Sequence, residues 1–190
     1  MMNEKTSFLS KEELAELQFK SIGEEVYISR KASIYNVREI SIGSNVRIDD
    51  FCILSGNINL GNNIHISAYT GLFAGDVGIQ LEDYTTVSSR CGIYAISDDY
   101  SGEALANATI PEKYRKVYKG KVTLNKYALV GSGTTILPGV IIGEGTSVGC
   151  MSLVKESLPS WEMYAGIPVR KIGERSKQLL RFVDEYEGKR

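Results

Sequence analysis

Aliphatic residues recur along this chain at intervals of six. They fall at Ile22, Ile28 and Ile34, and after a slip of two at Ile42, Ile48, Leu54, Leu60, Ile66 and Leu72. A second slip, of three, leads to Leu81, Val87 and Ile93. Beyond a gap the period returns at Leu124, Val130, Ile136, Ile142, Val148 and Val154. Four residues after most of these anchors stands a small or β-branched residue, among them Val26, Ala32, Val46, Cys52, Thr70, Cys91, Ala128, Thr134, Val140, Thr146 and Ser152. Glycine often follows the anchor directly, as at Gly43, Gly61, Gly131 and Gly149. A helix repeats every 3.6 residues and a simple strand every two, so neither produces this spacing. Short strands joined by tight turns of constant orientation do. Three such units close a triangular coil, and successive coils stack about 4.8 Å apart as parallel strands. The predicted fold is therefore mainly β, a coil of hexapeptide repeats.

The same reading divides the chain. Coils span 20–94 and 122–172, with a protruding loop over 95–121, and residues 1–190 are read as a single domain. Ser10 and Glu13 have capping-box spacing, and Leu9 with Leu14 suits a hydrophobic staple. A short N-terminal helix is expected over 11–19, covering the first coil. From Gly173 the sequence "ERSKQLLRFVDEYEGKR" reads as an amphipathic C-terminal helix over 173–190, with Leu179, Leu180 and Val183 near one face. Both ends would shield strand edges that are otherwise unpaired.

Composition narrows the function by exclusion. A formal net charge of −1 leaves no electrostatic footprint for nucleic acid or an anionic membrane. No apolar run reaches the ~20 residues that span a bilayer, and "MMNEKTSFLS" has no signal-peptide core, so a cytoplasmic location is expected. Three scattered cysteines make neither a disulfide framework nor a ligand set, and Cys52 and Cys91 read as corner fillers. With one histidine, His65, a three-histidine zinc site is ruled out and no metal is expected.

Over residues 20–172 the repeat resembles the hexapeptide-repeat, left-handed parallel β-helix acyltransferases, a group that includes galactoside and sugar-nucleotide acetyltransferases. The resemblance implies a left-handed coil, a homotrimer with active sites between subunits, and an acyl-CoA donor such as acetyl-CoA. It also implies a catalytic base at the start of the extruded loop, with "KGKVTL" (119–124) as the re-entry. Many relatives carry histidine at the position matching Asp98, whereas this loop reads Ser97-Asp98-Asp99-Tyr100. Imidazole suits deprotonation of a sugar hydroxyl, while a carboxylate of reference pKa about 3.9 is a far weaker base. An amine needs less help. Its neutral form already carries the attacking lone pair, and once it has added to a thioester, its acidified nitrogen requires only a nearby acceptor. Asp98 is the expected acceptor, with Asp99 beside it to raise its pKa by like-charge repulsion. An amino-sugar substrate is thus expected, although Asp-rich, Gly-containing segments also simply make turns.

Donors must also meet the thioester oxygen as it becomes negative. The resemblance implies the backbone N–H of Ser88, ten residues before Asp98, as the first candidate. For the donor, the resemblance of "AGIPVRKI" (165–172) to the family's closing segment implies pantetheine contacts near Ser132 and Cys150. It likewise implies phosphate contacts from Lys155, Arg170 and Lys171, and Pro168 beside the adenine. Phe73, Asp76, Tyr94 and Asp99 are candidates for contact with the sugar or base. His65 should point outward, to a subunit interface, a sugar or a structural bond. The expected partner is a nucleotide-linked amino sugar of surface-polysaccharide biosynthesis. The alternatives are an O-acetyltransferase using His65 and a non-catalytic β-helix scaffold.

Overall fold

A computed structural model describes residues 7 to 188. Seven parallel strands stack along one face of a prism: Val26–Ile28, Val46–Ile48, Ile64–Ile66, Thr86–Val87, Leu129–Val130, Ser147–Val148 and Glu162–Gly166. The other two faces share a ten-stranded sheet that wraps the remaining corner, because Ile53–Leu60 and Gly71–Leu81 run across both. The architecture is the parallel β-helix that the six-residue period predicts.

The anchors point inward. Every one from Ile42 to Val154 is 2% exposed or less, and full burial of such a side chain is worth about 1.5–3 kcal/mol. Ile22, at 36% exposed, departs from this because it sits on the terminal coil with no turn beneath it. The small residues fill the corners, and their polar atoms serve the backbone. Thr70 Oγ1 donates to the Ser88 carbonyl at 2.9 Å and Thr134 Oγ1 to the Gly149 carbonyl at 3.0 Å. The thiols of Cys52 and Cys91 point at the carbonyls of Ser67 and Gly131, each at 3.2 Å.

Both slips have structural causes. The first is the 3-10 turn Val37–Glu39, inserted at a corner. The second is a bulge in which Gly71–Leu81 carries three more residues than the strand it pairs with: Phe73 and Gly75 pair with Ser55 and Gly56, and Ile79 with Ile58. That surplus pushes Asp76 out of the coil surface.

The ends differ from expectation in extent. The N-terminal helix is Lys11–Glu16, shorter than 11–19, with the capping box formed and Leu14 buried on the first coil. The C-terminal helix is Leu179–Tyr186, not 173–190, of which residues 189 and 190 lie outside the described residues. Residues Val169–Glu174 instead form a strand antiparallel to Glu162–Gly166, turning at Ile167-Pro168. This hairpin caps the last coil, so the helix need not begin until the hairpin is complete. The Arg175 guanidinium then donates to the carbonyls of Tyr127 and Gly145 at 2.8 and 3.0 Å. Among the described residues no helix is long and apolar enough to cross a membrane.

Candidate active site

The loop that breaks the repeat carries a two-stranded ribbon. Ile96–Asp98 pairs antiparallel with Val117–Lys119, Asp98 standing opposite Val117. Alternation along an extended chain sorts the ribbon's side chains between two faces. Ile96, Asp98, Arg115, Val117 and Lys119 line a cavity of about 820 Å³, floored by Phe73 and Tyr94 from the coil. Lys116 and Tyr118 face the other way, onto Glu103 and Asp99 at 2.7 and 3.3 Å. Sequence reasoning missed this ribbon because each strand is only three residues long. The alternation in "RKVYK" (115–119) is the signal that marks it.

The two neighbouring aspartates therefore have opposite fates. Asp98 faces the cavity, and its carboxylate takes no hydrogen bond among the described residues. Asp99, expected to bind substrate and to repel its neighbour, is 5% exposed and folded into the loop. It accepts from the Ser101 hydroxyl at 2.8 Å, and from the backbone N–H groups of Ser101, Glu103 and Ala104 at 3.2, 3.0 and 3.3 Å. The Ser101 hydroxyl leads in holding its carboxyl below the usual range, with further help from backbone N–H groups and Tyr118. Asp99 organises the loop, and its carboxylate is taken up by these bonds.

Phe73 and Tyr94 stack with centroids 5.0 Å apart and planes 13° from parallel. Glycine permits this. Phe73 folds back over Gly71 and Tyr94 over Gly92, and the two pairs are register neighbours. Asp76, on the bulge, meets Lys119 at 3.0 Å, and that hydrogen bond holds its carboxyl below the usual range. Arg115 is the other cation of the cavity. It pairs with no carboxylate among the described residues, and its Nε is buried with no acceptor. An unsatisfied buried donor costs on the order of 1–3 kcal/mol.

The remaining expected residues lie on two different edges of the prism. After the paired strand ends Val87, Val130 and Val148 come Ser88, Ser132 and Cys150, on one edge. After Ile93, Ile136 and Val154 come the loop with Asp98, then Leu137, then Lys155, on another. One chain thus does not bring Ser88 to Asp98. The Ser88 N–H, expected to meet the oxyanion, donates to the Val130 carbonyl at 2.9 Å and is engaged in the ladder; its hydroxyl has no hydrogen-bond partner among the described residues. The N–H groups of Ser132 and Cys150 donate to no backbone carbonyl among the described residues. Pro168 and Arg170 lie in the closing hairpin, at the end of this edge. Lys171, in the same hairpin, is already paired. Glu162 and Glu174 hold it at 2.6 and 2.5 Å and raise its pKa, so its charge is already compensated. Lys155 lies near Glu156, at 3.5 Å, on the exposed surface.

His65 makes a structural bond, one of the roles expected for it. It projects from the outer face of its strand and meets Asp49 at 2.8 Å, away from the cavity. Burial opposes ionisation of Asp49, but hydrogen bonds from Arg47 and His65 outweigh it and keep that carboxyl below its usual range.

No protein-family model matches the chain. Individual proteins do. The dTDP-4-amino-4,6-dideoxy-D-glucose acyltransferase of Escherichia coli is 42% identical over 184 residues, 95% of each chain. This chain belongs to the hexapeptide-repeat acyltransferases. Within that family it also resembles AntD, an N-acyltransferase from Bacillus cereus. The structure of an AntD variant with dTDP and coenzyme A superposes with a TM-score of 0.95 at 50% identity, covering 100% of both chains. The structure of AntD with dTDP and 3-hydroxybutyryl-CoA gives 0.95 at 51% identity, over 97% of this chain and 98% of that one. AntD variants at a serine and at an aspartate ten positions further along have been solved.

Proposed function

We propose that this acyltransferase moves an acyl group, acetyl in the simplest case, from coenzyme A to the amine of a nucleotide-linked deoxyamino sugar. The observation that carries the reading is Asp98, a carboxylate with both oxygens unengaged, facing a cavity floored by stacked aromatics and holding no imidazole. The neutral amine attacks the thioester carbonyl carbon, and the tetrahedral intermediate forms with positive charge on nitrogen. Asp98 takes the proton, the carbon–sulfur bond breaks, and the coenzyme leaves as a thiolate that is then protonated. The serine and aspartate varied in AntD share the ten-residue separation of Ser88 and Asp98, which supports a role for the Ser88 hydroxyl in the same site. The likeness to proteins that act on dTDP-4-amino-4,6-dideoxyglucose supports that sugar as the acceptor.

On this reading the donor runs along the edge of Ser132 and Cys150, whose N–H groups have no backbone partner among the described residues and suit the amides of pantetheine, and ends at Pro168 and Arg170. Because Asp98 and Lys155 sit on another edge, the complete site needs a second copy. A homotrimer that sets the Ser88–Cys150 edge of one chain against the Asp98–Lys155 edge of the next meets that need. A cytoplasmic setting, consistent with three free cysteines, would supply both substrates.

The test offers the purified protein acetyl-CoA with dTDP-4-amino-4,6-dideoxyglucose or with its 4-hydroxy counterpart, following thiol release and product mass. Acylation of the amine alone is expected. Equal or better turnover of the hydroxyl sugar would replace this reading with O-acylation. No thermal shift with coenzyme A and no turnover would leave a scaffold.

A further inference from the structure

The cavity holds one cation that pairs with no carboxylate among the described residues. Arg115 follows the 3-10 turn Glu112–Tyr114 and is fixed by its own N–H to the Glu112 carbonyl at 2.9 Å. Its backbone also bridges to Leu105, whose N–H donates to the Tyr114 carbonyl at 3.0 Å. The loop therefore holds this backbone from both sides and presents the side chain on the cavity face of the ribbon. Of the two cavity cations, Lys119 is neutralised by Asp76, whereas Arg115 has, among the described residues, no counter-ion and a buried Nε without an acceptor. A guanidinium in that state is one half of a charge-assisted pair, and its planar fork matches phosphate oxygens.

We propose that Arg115 receives the diphosphate of the nucleotide-linked acceptor. This rests on the reading of the acceptor given above. The register gives the geometry. Asp98 stands opposite Val117, and Arg115 lies two residues further along, about 7 Å at the rise of an extended strand. A pyranose whose amine faces Asp98 would turn its anomeric phosphate towards the guanidinium. The aromatic floor of Phe73 and Tyr94 lies in the same cavity, available to a planar base. The phosphates of the donor are a poorer match, because Arg170, their expected partner, lies in the hairpin that closes the last coil, beyond the coils of Ser132 and Cys150.

Isothermal titration of the full-length protein with thymidine diphosphate, thymidine and coenzyme A tests this, using wild type, Arg115→Gln and Arg115→Lys. Arg115→Gln is expected to weaken thymidine diphosphate about 10- to 100-fold, while thymidine and coenzyme A stay within about threefold. Arg115→Lys should fall between, since an ammonium keeps the charge and loses the fork. Wild-type affinity for thymidine diphosphate after Arg115→Gln overturns the proposal. So does an equal loss of thymidine, which would make the arginine a support of the loop, or a loss confined to coenzyme A, which would make the phosphate the donor's. If the wild type binds no thymidine diphosphate, the acceptor reading itself falls and takes this inference with it; the wild-type titration alone identifies that outcome.

Discussion

Substituting Gly92 by alanine separates the aromatic floor's role in binding from its role in stability. A Cβ at Gly92 would lie 2.7 Å from Cε2 and 3.0 Å from the hydroxyl oxygen of Tyr94, too close for both to stay. The Gly92 backbone is outside the left-handed region, so alanine adds no strain of its own. Tyr94 is 37% exposed and can swing into solvent. The loss is then its stacking on Phe73, about 0.5–1.5 kcal/mol, offset by the ~0.5–1 kcal/mol that alanine gains over glycine within a strand. The net change stays within about 1 kcal/mol, or roughly 2–4 °C in Tm for a chain of this size. The acceptor site should suffer more. A base stacked on an aromatic ring is worth about 1–3 kcal/mol, so KM for the nucleotide sugar should rise about 5- to 150-fold. KM for acetyl-CoA should not move. Thiol release at saturating acetyl-CoA, with the acceptor varied, reads the first effect, and a thermal melt reads the second. An unchanged acceptor KM in a normally melting variant would remove Tyr94 from the site. A fall in Tm well beyond about 4 °C would mean that the methyl wedges the coil apart instead of displacing the ring.

Two further outcomes follow from the loop and the corners. Asp99 has its carboxyl below the usual range in the folded loop, so its contribution is complete above about pH 4 and is lost as pH falls through the folded value. Melts taken between pH 6 and 3 should therefore steepen for wild type relative to Asp99→Asn, and parallel curves would contradict the assigned role. Thr134→Val removes a fully buried hydroxyl that donates to the Gly149 carbonyl. A loss of about 1–2 kcal/mol is expected in urea unfolding. A neutral result would mean that the Ser152 hydroxyl, which also donates to this carbonyl at 2.8 Å, satisfies it alone.

The coil was legible because burial in this fold is strictly periodic. An anchor such as Ile136 or Val148 must fill the prism whatever its neighbours do, and the corner residues at Thr70, Cys91 and Thr134 follow from the space that three close-packed strands leave. Aspects that depend on contacts between distant segments were not legible. Nothing in "SDDY" says which aspartate faces the cavity; that is decided by Ser101, Tyr118 and the strand Val117–Lys119, some twenty residues further on. Ser88 looked available as a donor, yet the next coil takes its N–H, because a turn residue here is also the first ladder residue of a stacked strand. The pairing of Lys171 with Glu162 was hidden too, because only the hairpin brings the two together. The early start expected for the C-terminal helix failed in the same way: Val169–Glu174 has an antiparallel partner that local sequence does not reveal.

The central claim is that the Asp98 carboxylate takes the proton from the attacking amine, and Asp98→Asn tests it most directly because the amide keeps the shape and cannot accept that proton. With acetyl-CoA and dTDP-4-amino-4,6-dideoxyglucose, kcat should fall by about 10²- to 10⁴-fold while coenzyme A binding and the acceptor KM hold near wild-type values. A variant that still turns over within about threefold of wild type at neutral pH would show that the proton leaves by another route.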